Sequence, residues 1–128
     1  MLSKKERIKK KKEFEYVFRK GKNFNNAFFI VKVVENKISF SRFAFVAPLK
    51  SFKKAVDKNK IKRLMREGVK NIYPLIKKGF DIMIIAKEKS KECNFKEIEE
   101  NIKDVLSRAK LIWLIARSHP GRRITANT

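Results

Sequence analysis

The sequence has few of the residues that build covalent cross-links and metal centres. It contains one cysteine, Cys93, and one histidine, His119. A single cysteine cannot form an internal disulfide, and neither residue belongs to a cluster with the spacing of a metal site. We therefore expect no metal site on the protein and a reducing, cytoplasmic location. Cys93 is interpreted as an incidental residue in front of a helix.

Groupings that carry enzyme chemistry are missing as well. His119 lies in a C-terminal tail without a paired nucleophile, and the chain contains no glycine-rich phosphate loop. The acidic residues that lie close together in sequence fit the solvent-facing side of a helix, and they are Glu97, Glu99, Glu100 and Asp104. We therefore predict no catalytic residue in this chain and a function in binding.

Acidic residues are scarce, with 13 Asp and Glu against 34 Lys and Arg, so the formal net charge is +21. A protein this basic for its size is expected to bind nucleic acid or an anionic membrane surface. No run reaches the ~18 apolar residues of a membrane-spanning helix, and the N-terminus lacks the apolar core of a signal peptide. We therefore expect a nucleic-acid partner and no membrane.

The length of 128 residues fits one domain with its own core. We place this domain at residues 1–116 and treat residues 117–128 as a tail of unknown role. Residues 1–12 form a basic arm that is too charged to enter a core. We expect the arm to be mobile until it binds, and a disordered solubilising arm is the alternative.

Hydrophobic periodicity predicts six elements in the order α-β-β-α-β-α. They are a helix over residues 13–21, strands over 28–35 and 38–47, a helix over 55–73, a strand over 80–86 and a helix over 94–116. The turn at Asn36 and Lys37 makes the first two strands an antiparallel hairpin. The third strand follows a helix, so it is expected to lie parallel to one of them. The fold class is α+β, a two-layer α/β sandwich with helices against a small mixed sheet.

The ends of the helices carry several signals. Gly21 stops the first helix, Ser51 and Asp57 compete as N-cap of the second, and Asn94 is the candidate cap of the last. The later part of the last helix is apolar nearly all round at Leu111, Leu114 and Ile115. This predicts a contact with another chain or a segment alien to the native protein.

The helix over residues 55–73 has two opposed faces at ~100° per residue. The apolar face comprises Ile61, Leu64, Met65, Gly68, Val69 and Ile72, and the polar face comprises Asn59, Lys62, Arg63, Arg66 and Lys70. Solvation is the ordinary explanation of a lysine-rich face. Here the polar face has almost no acidic residue to pair with its cations, so it repels itself unless an anion binds. A polyanionic partner is therefore predicted.

Eleven phenylalanines accompany this charge. Phe14, Val17 and Phe18 share one stripe of the first helix, which is too short to be stable alone and is expected to dock on a sheet or on another helix. Core packing is the ordinary role of such residues, and a stacking surface for unpaired bases is the alternative.

Residues 58–67 resemble the R-N-R-x-K-R-x-x-R-E signature of the bacterial ribonuclease P protein subunit. The matching residues are Asn59, Lys62, Arg63, Arg66 and Glu67, while Lys58 and Lys60 replace the first and third arginines. Charge is kept at those two positions, but the planar fork of arginine is lost. The order of elements matches the family over residues 5–110, and Lys50 is retained from the family's S-x-S-K-K-x-G loop.

The resemblance implies a left-handed βαβ crossover around the basic helix. It also implies a protein cofactor of ribonuclease P, a monomer that binds the catalytic RNA and the single-stranded 5′ leader of precursor tRNA. The RNA would cleave with a divalent cation such as Mg²⁺. The implied RNA-binding residues are Lys50, Lys58, Asn59, Lys60, Lys62, Arg63, Arg66 and Lys70, and the implied leader-cleft residues are Phe14, Phe18 and Lys32. A structured-RNA or ribosome-associated binding protein without a role in cleavage is the alternative.

Overall fold

The computed structural model describes residues 4–112 and has an α+β fold, as predicted. Its helices and strands are α1 (Lys11–Lys20), β1 (Lys22–Asn25), β2 (Phe29–Glu35), β3 (Arg42–Val46), α2 (Ala55–Ile72), β4 (Phe80–Ala86) and α3 (Phe95–Arg108). Short 3-10 helices span Lys4–Glu6, Tyr73–Leu75 and Glu88–Glu92. His119, the apolar residues Leu114 and Ile115, and the tail over 117–128 lie outside the described residues. Within the described range no helix is long and apolar enough to cross a membrane.

The four strands form one mixed sheet in the order β1-β2-β4-β3. β2 is antiparallel to both of its neighbours, and β3 is parallel to β4. The predicted parallel pairing of the strand after the basic helix is therefore confirmed. The left-handed sense of the β3-α2-β4 crossover remains a prediction.

The predicted hairpin between the first two long strands is wrong, because β4 lies between β2 and β3. The Asn36 side chain directs the chain away from a hairpin: its Oδ1 accepts the Ile38 backbone N–H at 3.0 Å, and its Nδ2 donates to Asp81 Oδ1 at 2.8 Å. The backbone N–H of Asn36 donates to the Gly79 carbonyl at 2.9 Å. Residues 36–41 therefore cross the end of β4 before β3 begins.

Strand β1 was not expected from the sequence. It is a short edge strand with two asparagines, a residue type depleted in strands, and its partner is β2. It adds one strand to the predicted order of elements.

Two apolar clusters lie on opposite faces of the sheet. Alternate residues of β4 point to opposite sides, so Ile82 and Ile84 join the larger cluster and Met83 and Ile85 the smaller one. Helices α2 and α3 supply eight further residues of the larger cluster, whereas Val17 of α1 completes the smaller one. The sheet thus separates α1 from α2 and α3.

Part of the N-terminal arm is docked, which corrects the expectation that residues 1–12 are mobile. Arg7 forms a parallel bridge with Phe43, and the Ile8 backbone N–H donates to the Phe43 carbonyl at 2.8 Å. A charged segment can pair in this way because the free edge of β3 offers backbone groups and needs no apolar side chain.

Helix α3 ends at Arg108, eight residues before the predicted end at Ala116. Lys110 has a φ of 61°, and Leu111 donates from its N–H to the Leu106 carbonyl at 3.0 Å. Leu111 is buried, so its apolar character serves the core of this chain and not a contact with a second chain. The end of α3 was not predicted because Lys110 adopts a left-handed backbone conformation. In a sequence, glycine is the residue that usually indicates this conformation at a helix end.

The predicted caps had mixed outcomes. Asn94 is confirmed as the cap of α3, and its side chain accepts the Glu97 N–H at 2.8 Å in a capping box. Lys54 occupies the N-cap position of α2 without a side-chain hydrogen bond. The predictions of Ser51 and of Asp57 are therefore both wrong.

Candidate nucleic-acid interface

The first candidate surface is the outer face of α2, which we call the α2 ridge. It comprises Asn59, Lys62, Arg63, Arg66 and Lys70, of which Asn59, Arg63 and Lys70 are exposed and the other two half-buried. The opposite face buries Ile61, Met65, Gly68, Val69 and Ile72. Periodicity therefore predicted the rotation of this helix correctly. Leu64 is the exception, because it is half-buried at the border between the faces and not in the core.

The cations of the α2 ridge repel one another. Among the residues the structure describes, none of the ridge cations forms an ion pair. Partial burial lowers the pKa of Lys62, and the positive charges of Lys58 and Arg66 lower it further. Both neighbours lie one helical turn away. An anion on this surface would remove the repulsion, which supports the predicted polyanionic partner.

The remaining RNA-binding predictions on and near α2 fall at different places. Lys58 adjoins Lys62 at the flank of the α2 ridge. Lys60 points to the other flank, where it lines a small cavity with Phe52 and Cys93. The structure therefore does not bring Lys60 together with the ridge. Lys50 lies in an adjoining hollow before α2, which is lined by Lys53 and Lys54 and shares Asp57 and Lys91 with the cavity beside Lys60.

The second candidate surface lies beside α1 on the opposite face of the sheet, and we call it the α1 cleft. Phe14 of α1 and Ile30 of β2 pack against the smaller apolar cluster, and Lys32 of β2 lies over the ring of Phe18 of α1. Val17 is completely buried and holds the helix on the sheet, Phe14 is half-buried, and Phe18 is 52% exposed. Core packing of this stripe is thus confirmed for Val17 and wrong for Phe18. A half-exposed phenylalanine is available to stack on an unpaired base.

Lys32 and Phe18, both predicted from the resemblance, are brought together. The Lys32 Nζ atom lies 4.8 Å from the centroid of the Phe18 ring and donates to Asn23 Oδ1 at 2.9 Å. Asn23 stands directly opposite Lys32 in the β1–β2 register. Sequence reasoning missed Asn23 because strand β1 was not predicted. The cleft therefore presents a cation and an aromatic ring side by side.

Helix α1 is fixed above the sheet at both ends. Near its start, Arg42 donates to both carboxylate oxygens of Asp81, from Nε at 3.0 Å and from Nη2 at 2.7 Å, and its Nη1 donates to Glu13 at 3.2 Å. The hydrogen bond that Arg42 donates to Asp81 raises the pKa of Arg42, although burial opposes this. At the other end Gly21 lies so close to the sheet that a Cβ there would be 3.0 Å from the Val33 nitrogen of β2. The wall of the cleft is therefore held in place.

The residues of 4–112 include no group of three or more His, Cys, Asp or Glu side chains that could hold a metal ion. Two candidate surfaces on opposite faces of one mixed sheet remain, one a ridge of cations on α2 and the other an aromatic surface with Lys32 beside α1. Fold and surfaces together define an RNA-binding α+β protein.

Comparison with known proteins identifies the family. Residues 2–110 match the model of the Ribonuclease P family, and the chain belongs to this family. The resemblance at residues 58–67 is thereby confirmed.

The relatives cover most of the chain. It is 34% identical over 105 residues to the ribonuclease P protein component of Clostridioides difficile, covering 81% of this chain and 91% of that protein. It is 33% identical to the component from Clostridium botulinum strain Langeland, covering 83% and 96%. Among solved structures, the ribonuclease P protein of Staphylococcus aureus has a TM-score of 0.76 at 33% identity and covers 84% of this chain and 97% of that one. The protein of Thermotoga maritima has a TM-score of 0.73 at 33% identity, with 80% and 96% covered.

Proposed function

We propose that this chain acts in a ribonuclease P holoenzyme as the protein cofactor for tRNA 5′ maturation. In this role it binds the catalytic RNA and the single-stranded 5′ leader of precursor tRNA, and it promotes removal of the leader. The observation that carries the proposal is the separation of two cationic surfaces by the sheet. A protein with two such surfaces can hold two RNA segments at once.

The α2 ridge is the surface proposed for the catalytic RNA. Its cations lie on a continuous helix without acidic partners, which suits the phosphates of a folded RNA. Lys58 extends this surface at one flank, whereas Lys60 and Lys50 reach RNA from neighbouring positions on α2 and on the preceding loop.

The α1 cleft is the surface proposed for the leader. Lys32 supplies a positive charge for a phosphate, and Phe14 and Phe18 offer ring surface to the bases. Stacking and backbone charge hold a single strand without reading much of its sequence, because every base has a face that can stack. This suits a partner whose sequence differs from one precursor tRNA to the next.

Cleavage itself is assigned to the RNA subunit, with a divalent cation such as Mg²⁺ acting mainly at the RNA. The protein is expected to act as a monomer within a cytoplasmic holoenzyme. The protein contributes by binding and positioning the leader. The bond to be cleaved is then held at the catalytic RNA before the reaction begins.

Reconstitution with the cognate catalytic RNA tests this proposal. The full-length protein should increase cleavage of precursor tRNA at limiting Mg²⁺ and should bind the RNA–precursor complex more tightly than the RNA–mature tRNA complex. The protein alone should leave precursor tRNA uncut. Equal affinity for both complexes, with no effect on cleavage, would instead identify a structured-RNA binder without a role in the reaction. Specific cleavage by RNA-free protein would overturn the assignment to the RNA.

A further inference from the structure

The side of α1 that faces away from the cleft carries a second combination of aromatic and basic residues. Tyr16 is 49% exposed, and the cations around it are also exposed. We call this surface the α1 outer strip, and it comprises Lys12, Tyr16, Arg19 and Lys20. Lys12, Tyr16 and Lys20 are four residues apart, so successive side chains lie about 6 Å apart along the helix axis.

Within residues 4–112 no contact of the fold uses these side chains. Within the described part of the chain, Tyr16 makes no hydrogen bond or ring contact, and the three cations make no ion pair. The Phe18 ring differs in this respect, because the Lys32 ammonium group lies over it. The Tyr16 ring, at 49% exposure, is available to a partner.

Tyr16 and Phe18 project from opposite flanks of α1. They are two residues apart, which is about 200° around the helix, and the buried Val17 between them fixes which side faces the sheet. A helix with its side chains is about 10–12 Å across. One strand lying in the α1 cleft beside Phe18 therefore does not also stack on Tyr16.

We propose that the α1 outer strip is a second RNA contact, at which an unpaired base of the catalytic RNA subunit stacks on Tyr16 while Lys12, Arg19 and Lys20 neutralise adjacent phosphates. Charge complementarity supports this occupant, because Lys12, Arg19 and Lys20 lie around the ring and, within the described residues, none of them forms an ion pair with Glu13 or Glu15 of the same helix. This inference rests on the proposed function, in which the leader occupies the other flank. It adds a surface to that function, so that α1 lies between two RNA segments.

The test measures the affinity of the full-length protein for the catalytic RNA without tRNA. Tyr16→Ala should weaken this affinity at least about fivefold, the lower end of the loss seen when a stacked aromatic is replaced by alanine. Tyr16→Phe keeps the ring and should bind within about twofold of the parent. Lys12→Ala and Lys20→Ala should each reduce the salt slope of binding by about 1.

Two matched variants serve as controls. Ile38→Ala removes an exposed apolar side chain elsewhere, Lys78→Ala removes an exposed cation, and both should bind like the parent. Parent-like binding of Tyr16→Ala and Lys20→Ala would overturn the proposal. So would a loss by Tyr16→Ala that appears only when a leader is present, because the strip would then contact the leader. The proposed function is tested separately by the leader dependence of the parent protein, which this measurement does not use.

Discussion

The ammonium group of Lys32 lies 4.8 Å from the centroid of the Phe18 ring, so the cation and the aromatic surface of the α1 cleft form one unit. Such a contact at an exposed site contributes roughly 0.5–1 kcal/mol. Asn23 accepts a hydrogen bond from the same ammonium group and limits its movement. A single strand entering the cleft therefore meets a charge and a ring that are already placed together.

Phe18→Ala should weaken binding of the leader. We expect a loss on the order of 1–3 kcal/mol in the difference between precursor and mature tRNA affinity, because one base loses its stacking partner. Unfolding free energy should fall by less than about 1 kcal/mol, since the ring is half-exposed. Titrations of both tRNA forms against the RNA–protein complex measure this difference. Phe18→Tyr should keep it, and an unchanged difference in Phe18→Ala would remove Phe18 from the leader site.

Two neighbouring residues of α2 should separate binding from stability. Arg66→Ala removes a ridge cation and should change the unfolding free energy by no more than about 0.5 kcal/mol while weakening RNA binding. Met65→Ala removes a completely buried side chain and should cost about 2–5 kcal/mol of stability. Thermal melts and RNA titrations of both variants check this pair. The reverse pattern would mean that the helix is rotated from the orientation described above.

Lys62 should respond to charges on its own face of α2. Burial and the nearby cations lower its pKa, so the folded state disfavours the charged form, and stability should rise as pH increases through this lowered pKa towards the ordinary value. Lys58→Ala should raise the Lys62 pKa, and so should bound RNA. An NMR titration of the lysine side chains measures the shift. Lys60→Ala, on the other flank, should have a much smaller effect, and equal effects of the two variants would contradict the mutual repulsion of Lys58 and Lys62.

Asp81→Asn should be strongly destabilising. Asp81 is 6% exposed and binds Arg42 through both oxygens, and breaking a buried pair typically costs about 3–5 kcal/mol. Glu13 still accepts a hydrogen bond from Arg42 in this variant, so we expect a cost towards the lower end of that range. Chemical denaturation measures this cost. Arg108→Ala breaks an exposed pair with Asp104 and should cost at most about 1 kcal/mol. Similar costs for the two variants would show that burial does not set the strength of the Arg42–Asp81 pair.

Binding of a single-stranded leader should depend steeply on salt. For single strands, log K falls against log salt with a slope of about −0.7 for each phosphate neutralised, so several contacts give a steep line. The motivation is the net charge of +21 and the unpaired cations of the ridge and cleft. Fluorescence titrations of a labelled leader oligonucleotide over a range of salt provide the slope. A nearly flat line would rule out phosphate charge as the main source of affinity.

Periodicity predicted the parts of the fold that depend on local sequence. The run from Phe80 to Ala86 became β4 with the predicted bounds, and the capping box at Asn94 began α3 where expected. The order of strands could not be predicted, because the apolar pattern of a buried strand does not depend on which strands lie beside it. Asn36 suits a hairpin turn as well as it suits the crossing that the structure shows. Its hydrogen bond to Asp81, which holds the chain across the end of β4, is not visible in the sequence.

The candidate site could likewise be predicted only where it depends on local sequence. The rotation of α2 follows from its own residues, so the cations of the α2 ridge lie on the outer face of the helix as predicted, while their contact with RNA stays a prediction. On α1, Val17 and Phe18 share one predicted stripe, and only the sheet beneath decides that Val17 is buried and Phe18 is not. The partner of Lys32 lies in another strand, so no local pattern could identify Asn23.

The single residue between α1 and β1 has a consequence for the speed of binding. Gly21 alone joins Lys20 to Lys22, and it lies close to the β2 backbone, where a Cβ would be 3.0 Å from the Val33 nitrogen. The helix therefore has no loop in which to swing, and the cleft does not need to open or close before a strand enters. Association without a preceding conformational step is limited by diffusion and by electrostatic attraction. The rate of leader capture should thus change with ionic strength, while Gly21 keeps the cleft ready for each encounter.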